Sequence, residues 1–193
     1  MPRTGLSPEA ARQRATEIAV ARIREHGFSK LRLADVAREM GVSHAALYAH
    51  FRDKAALLDA VTDSWLADAR QRTARICEGP GPAVERIEAW FVERYRIKSG
   101  RVKSDPEIFY GFNEATAGER PVIRDHMALL CSELTGLVEE AGLGGRAEAA
   151  MLDEALTAFL HPSLIAPGPD PDREAALRRL VRVLLAGLSA TRS

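Results

Sequence analysis

The sequence predicts an all-α protein in two parts, an N-terminal three-helix unit with a helix-turn-helix and a C-terminal helical bundle, about nine helices together. Three observations predict it. Apolar residues recur at helical spacing along most of the chain. Helix-start chemistry appears three times, as Ser7-Pro8-Glu9, Asp105-Pro106-Glu107 and Asp170-Pro171-Asp172. Each begins with a capping oxygen, continues with Pro where no amide donor is needed, and adds an acid against the positive helix end. No stretch alternates apolar and polar residues between turn signals, so strands are not expected.

The elements follow in order. Ala15, Ile18, Ala19 and Ile23 share a face of a first helix over 8–26, with Gly27 at its end. Leu33, Val36, Ala37 and Met40 form a second, stopped by Gly41. Ser43 caps a short third helix ending near His50-Phe51, and Asp53-Lys54 opens a fourth, carrying Leu57, Leu58, Val61 and Trp65. Val84, Ile87, Phe91 and Tyr95 make the next stripe. Ile123, Met127, Leu130, Leu134 and Leu137 follow, and then Leu152, Leu156, Phe159 and Leu160. Leu177, Leu180, Val181, Leu184, Leu185 and Leu188 close the series. Gly27, Gly41, Gly118 and Gly142 are expected as left-handed C-terminal caps. Gly79-Pro80-Gly81-Pro82 and Pro167-Gly168-Pro169 read as short loops.

Composition narrows the class. A chain of 193 residues accommodates one large domain or two small ones. With 46% hydrophobic and 28% charged residues, collagen, rod-like coiled coil and wholesale disorder are excluded. No apolar run approaches the ~18 residues of a membrane span, and the N-terminal residues lack the apolar core of a signal peptide. Cys77 and Cys131 are too few for a disulfide framework. Cytoplasmic location is the expectation. The net charge of zero hides a split: residues 1–60 hold ten Lys and Arg against seven Asp and Glu, a mildly basic module on an acidic remainder.

Helix, tight glycine turn and helix over about 32–51 give the geometry of a helix-turn-helix, whose second helix enters a DNA major groove. The run from Leu33 to Leu58 contains Asp35-Val36-Ala37, Gly41-Val42-Ser43, Leu47-Tyr48 followed by His50-Phe51, and Lys54 followed by Leu57, with Gly27-Phe28 upstream. In order and spacing it resembles the DNA-binding region of the TetR (tetracycline-repressor-like) family, over roughly residues 10–65. Leu31 and Arg32 stand where many relatives carry Thr or Ser, Ala45 where many have Gly, and Ile23 where many have Phe. These departures bear on which DNA sequence is preferred.

The resemblance implies a DNA-binding domain over 1–58 and a ligand-binding and dimerisation domain over 59–193. In the first, Ser43 is expected to cap its helix and reach a phosphate. His44 and Ala45 lie where base edges are in reach: Ala meets a thymine methyl, and His donates to guanine or accepts from an adenine or cytosine amine. Tyr48 and His50 are placed for phosphates, and Lys54 adds charge to a helix start suited to anions. Arg3, Arg12 and Arg32 are further phosphate candidates, while Leu47 and Phe51 read as core.

In the second, the family implies an effector pocket and a dimer interface on the last two helices. The apolar stripes there are broad enough for a second partner, naming Leu152, Leu156, Leu177, Val181, Leu184, Leu185 and Leu188 as the homodimer contact. Trp90, Tyr95, Phe109 and Phe112 crowd a short stretch, and Met127, Cys131, Phe159 and His161 lie on helices able to face them. An apolar, planar effector suits such walls. His126 and His161 are candidate polar anchors. Pro162 interrupts a helix, leaving the carbonyl near Ala158 as either a ligand acceptor or a simple kink.

The function expected is a ligand-responsive transcriptional regulator, most readily a repressor released from a pseudo-palindromic double-stranded operator by a small molecule. The alternatives are an architectural DNA-binding protein without an effector, or an all-helical enzyme. No nucleophile elbow, phosphate loop, HExxH pair or CxxC is present in the sequence, so no enzyme, metal or cofactor is expected.

Overall fold

The computed structural model describes residues 6–106, 109, 120–165 and 170–191. Among them are nine α-helices, two short 3-10 turns and no strand. None of these helices is long and apolar enough to cross a membrane. The chain divides into two compact units. The first takes the described residues up to Ala67 and those between Asp105 and Val122; the second takes 68–104 and the described residues from Ile123 onward.

In the first unit, α1 (Pro8–His26) starts as its sequence dictates. Ser7 Oγ accepts the Ala10 N–H at 3.2 Å, with Pro8 at the first turn. A 3-10 turn (Phe28–Lys30) leads to α2 (Leu33–Met40), then α3 (His44–Tyr48) and the first part of α4 (Lys54–Cys77). Gly41 lies in the left-handed region, φ 70° and ψ 26°. There its own N–H reaches the Arg38 carbonyl, and the Val42 N–H reaches the Ala37 carbonyl at 3.0 Å. These two bonds satisfy carbonyls left open by the end of α2 and set the angle to α3. Gly27 departs from the expected cap: its φ is 82° but its ψ is 162°, so it turns the chain out into extended backbone. Asp53 caps α4, accepting from the Ala56 N–H at 2.7 Å. One cluster closes the unit, built from Ile18, Ile23, Leu31, Val36, Leu47, Phe51 and Leu57. Arg24 grips Asp105 with two bonds of 2.6 and 2.9 Å, and Trp65 meets Phe109 edge-on at 6.1 Å.

The second unit contains the rest of α4, then α5 (Ala83–Ser104), α6 (Pro121–Glu140) from Ile123 onward, α7 (Arg146–Ala155), α8 (Thr157–Leu160), a 3-10 turn (Pro162–Leu164) and α9 (Pro171–Ala190). Asp170 caps α9 through the Arg173 N–H at 3.0 Å. The stripe expected as one helix through residue 160 is two: α7 stops at Leu156, whose φ of −97° and ψ of 7° leave helical geometry. Trp90, Phe91, Leu134, Leu152, Leu156, Leu177 and Val181 pack into one core. Each large apolar side chain buried this way contributes roughly 1.5–3 kcal/mol. Around it, Glu88 accepts from Arg178 at 3.0 Å and Arg182 at 2.6 Å, while Glu174 accepts from Arg96 at 2.8 Å, fastening α5 to α9. The Ala158 carbonyl, open in sequence terms, is taken by Arg173 at 2.6 Å. Gly118 and Pro167-Gly168-Pro169 lie outside the described residues.

Two glycines test this account with opposite signs. Gly41→Ala forces a side chain into the left-handed region and is expected to lower stability by about 1 kcal/mol. Gly136→Ala, inside α6 with open space around its Cβ, is expected to raise it by about 0.5–1 kcal/mol. Denaturant unfolding of both variants measures the pair.

Candidate nucleic-acid interface

Helix α3 has only five residues, too few to persist alone, and its neighbours hold it from three sides. Ser43 Oγ accepts the Ala46 N–H at 3.2 Å. Leu47, and Phe51 just beyond, are wholly buried beneath it. Arg12 of α1 donates to the His50 carbonyl while its guanidinium lies 4.5 Å from the Phe51 ring centroid. What α3 leaves outside is Ser43, His44, Ala45, Ala46 and Tyr48, all exposed. The His44 and Tyr48 rings meet edge-on at 4.7 Å, as i and i+4 positions should. An imidazole, a methyl and a phenol on one short protruding helix are a chemistry suited to reading base edges and gripping phosphate.

Two expected phosphate ligands are engaged inside the unit. Besides Arg12, Lys54 sends its ammonium to the carbonyls of Phe28 and Ser29, at 3.1 and 3.2 Å. Both act first as struts for the helix-turn-helix. Arg32 is exposed and makes no capping bond, His50 is half-buried, and Arg3 lies outside the described residues.

The effector and dimer sets are distributed differently from expectation. Trp90 and Tyr95 are buried in the second unit's core, while Phe109 belongs to the first unit against Trp65. Phe112 lies outside the described residues. Met127 and His161 are exposed, and Cys131 and Phe159 are half-buried. A cleft of about 600 Å³ in the second unit shares only Tyr95 with that set; Ser99, Lys103, Asp170 and Glu174 line it too. Leu152, Leu156, Leu177, Val181, Leu185 and Leu188 are covered by their own chain, leaving Leu184 half-buried. The apolar side chains α7 and α9 expose are instead Met151 and Val183.

Sequence reasoning missed a basic group inside the second unit. Arg94, Lys98 and Arg101 lie on one face of α5, at i, i+4 and i+7. Arg94 donates to Asp153 and lies 4.6 Å from the Trp90 ring centroid. Burial, then the charge of Arg94, pushes the Lys98 ammonium down to about 7, with Asp153 pulling the other way. Burial also pushes the His126 imidazole down to about 4, reinforced by Arg70, Arg94, Lys98 and Arg101. The available signal was the row Trp90, Arg94, Lys98: cations one and two turns along from a residue read as a wall of the effector pocket. Nearby, burial pushes the Cys77 thiol up to about 12, helped by the charge of Glu133.

A short exposed helix braced in a helix-turn-helix, followed by a helical unit with its own core, defines a DNA-binding regulator. Residues 16–61 match the model for bacterial regulatory proteins of the tetR family, and residues 83–181 match that for the tetracyclin repressor-like C-terminal domain. The chain belongs to this family of DNA-binding transcriptional regulators. A TetR-family regulator from Streptomyces coelicolor has the same fold at 22% identity, over 96% of this chain and 97% of its own, with a TM-score of 0.62. A transcriptional regulator from Pseudomonas aeruginosa is 22% identical over 97% and 94%, with a TM-score of 0.60. The regulator AibR, solved with isovaleryl coenzyme A and operator DNA, is 17% identical over 91% and 98%, with a TM-score of 0.59. No protein of curated function matches the chain.

Two measurements separate contact from support. Tyr48→Ala is expected to weaken DNA binding with the unfolding midpoint unchanged, because the ring is exposed. Lys54→Ala is expected to cost about 1–2 kcal/mol of stability through its two lost hydrogen bonds as well. Acid supplies another test. Between about pH 6.5 and 4 the unfolded chain binds a proton that folded His126 refuses, so stability falls as pH drops through this window, by roughly 3 kcal/mol in the limit. His126→Gln should flatten that part of the pH profile.

Proposed function

We propose that the protein is a ligand-responsive repressor that binds a pseudo-palindromic operator as a homodimer in the cytoplasm, with one α3 in each of two major-groove half-sites. Residues 1–58 carry the DNA contacts and 59–193 the effector and dimer functions. The observation that carries this reading is the outward cluster Ser43, His44, Ala45 and Tyr48 on a helix whose inward face is locked by Leu47 and Phe51. His44 and Ala45 read bases; Ser43, Tyr48 and Arg32 hold phosphates. AibR, a relative in fold, is solved in complex with both a small molecule, isovaleryl coenzyme A, and operator DNA. For an effector to release DNA it must bind the DNA-incompatible state more tightly, since equal affinity shifts nothing.

The dimer surface of this reading uses the exposed sides of α7 and α9. On α9, Ala176, Val183, Gly187 and Ala190 are exposed and Leu180 and Leu184 half-buried; on α7, Ala147, Ala150 and Met151 are exposed. Small side chains at helical spacing let two helices approach closely, and Met151 and Val183 supply apolar area.

Selection of bound sequences from a random DNA library tests the proposal. Enrichment of a two-fold symmetric site is expected, with His44→Ala changing the preferred bases and Tyr48→Ala weakening binding to all sequences alike. Recovery of sequences without symmetry would sink it. Sedimentation tests the assembly: Val183→Glu should yield a folded monomer, because a charge is then left in an apolar contact.

A further inference from the structure

The basic group on α5 is not used by DNA binding as read above, and its surroundings point to a ligand. Arg94 and His126 are each only 7% exposed. Arg94 Nε and His126 Nδ1 have no hydrogen-bond partner among the described residues. Lys98 Nζ donates to a neutral acceptor, the Leu160 carbonyl. Arg94 shares its charge with Asp153, whose side chain is half outside at 51% exposed. Burying cations and unpaired polar atoms in this way costs free energy. An anion entering among them would satisfy both open nitrogens and give Lys98 a counter-charge. The neighbours are apolar and aromatic except for one carboxylate: Trp90 lies under the Arg94 guanidinium and donates its indole N–H to Glu133 at 2.8 Å, and Leu130 and Leu134 share the α6 face of His126 and are buried.

We propose that the second unit binds an organic acid, its anionic group held by Arg94, Lys98 and His126 and its apolar body lying toward Trp90 and Leu130. This rests on the reading of that unit as the effector domain and names the chemical class of the effector. It also amends the expectation of an uncharged planar molecule: an apolar body still fits, but it carries an acid. Arg94 supplies an N–H donor with fixed direction, suited to a carboxylate oxygen. Lys98 supplies a charge that depends on its occupant. Empty, it feels Arg94 on its own helix and Asp153 from α7, and it lies near His126 of α6, on which Arg70 of α4 and Arg101 of α5 also act; burial leaves it its proton only part of the time at neutral pH. A bound anion restores the proton, so binding takes up protons above about pH 7 and weakens as pH rises, by up to tenfold per pH unit.

The test uses the full chain without DNA. Octanoate and benzoate are compared with octanamide and benzamide, and with inorganic phosphate, at constant ionic strength. Thermal unfolding and tryptophan fluorescence are the readouts, Trp90 and Trp65 being the emitters. At least one carboxylate should raise the melting temperature while its amide and phosphate do not. Titration calorimetry at pH 8 in two buffers should show proton uptake. Lys98→Met should fold at least as well as wild type and bind the same carboxylate at least tenfold more weakly; His126→Gln provides the same comparison if Lys98→Met does not fold. Equal shifts from acid and amide, a shift from phosphate as large as from any carboxylate, or unchanged binding by folded Lys98→Met would overturn the proposal. Operator release is measured separately: a carboxylate that binds as described yet leaves DNA binding unchanged counts against the effector reading and not against the acid site.

Discussion

A helix of five residues cannot hold its own shape, and the DNA-reading surface of this protein is a helix of five residues. Everything around α3 answers that constraint. The Gly41 turn fixes the direction of entry, Ser43 satisfies an open N–H, and Leu47 and Phe51 anchor the inner face in the core. Arg12 then ties α1 to the far end by one hydrogen bond and one ring contact. The side chains left outside are consequently positioned largely by residues of the buried core and of α1. A regulator that reads bases through few side chains needs this rigidity, because an ill-placed donor gives up discrimination before it gives up affinity.

The second unit handles charge in two ways. At its surface, Glu88 and Glu174 each accept from two arginines, and these partners hold both carboxyls below the usual range. Such networks stabilise modestly because water already solvates their members well. In the interior, Arg94, Lys98 and His126 sit with incomplete partners, an arrangement a purely structural core gains nothing by keeping. The contrast is what motivates the proposed acid site.

Much of the fold was legible in the sequence because helix boundaries carry local chemistry. Ser7-Pro8, Gly41, Asp53, Gly142 and Asp170-Pro171 mark ends in the structure as they do in the sequence. The outward face of α3 was legible too, since Leu47 and Phe51 at i and i+4 leave His44, Ala45 and Tyr48 on the other side. Periodicity stops short of naming what covers an apolar stripe. Leu152, Leu177 and Val181 are wide-stripe residues buried by their own chain, and nothing in the spacing distinguishes that from burial by a second copy. The roles of Arg12 and Lys54 were illegible for a related reason. A cation near a DNA-binding helix suggests phosphate, yet the carbonyls that bind these two come from residues 38 and 26 positions away. The basic row on α5 was overlooked because charged residues on a long helix ordinarily face solvent.

The first sixty residues hold ten basic side chains, and the fold keeps most of them occupied. Arg12 and Lys54 point at carbonyls, and Arg14, Arg22, Arg24, Arg38 and Arg52 point at acids. Among the described residues, Lys30 and Arg32 are left. Few condensed ions are then displaced when the protein meets DNA of arbitrary sequence. On the proposed reading, discrimination between an operator and other DNA then rests on the side chains of α3 more than on charge.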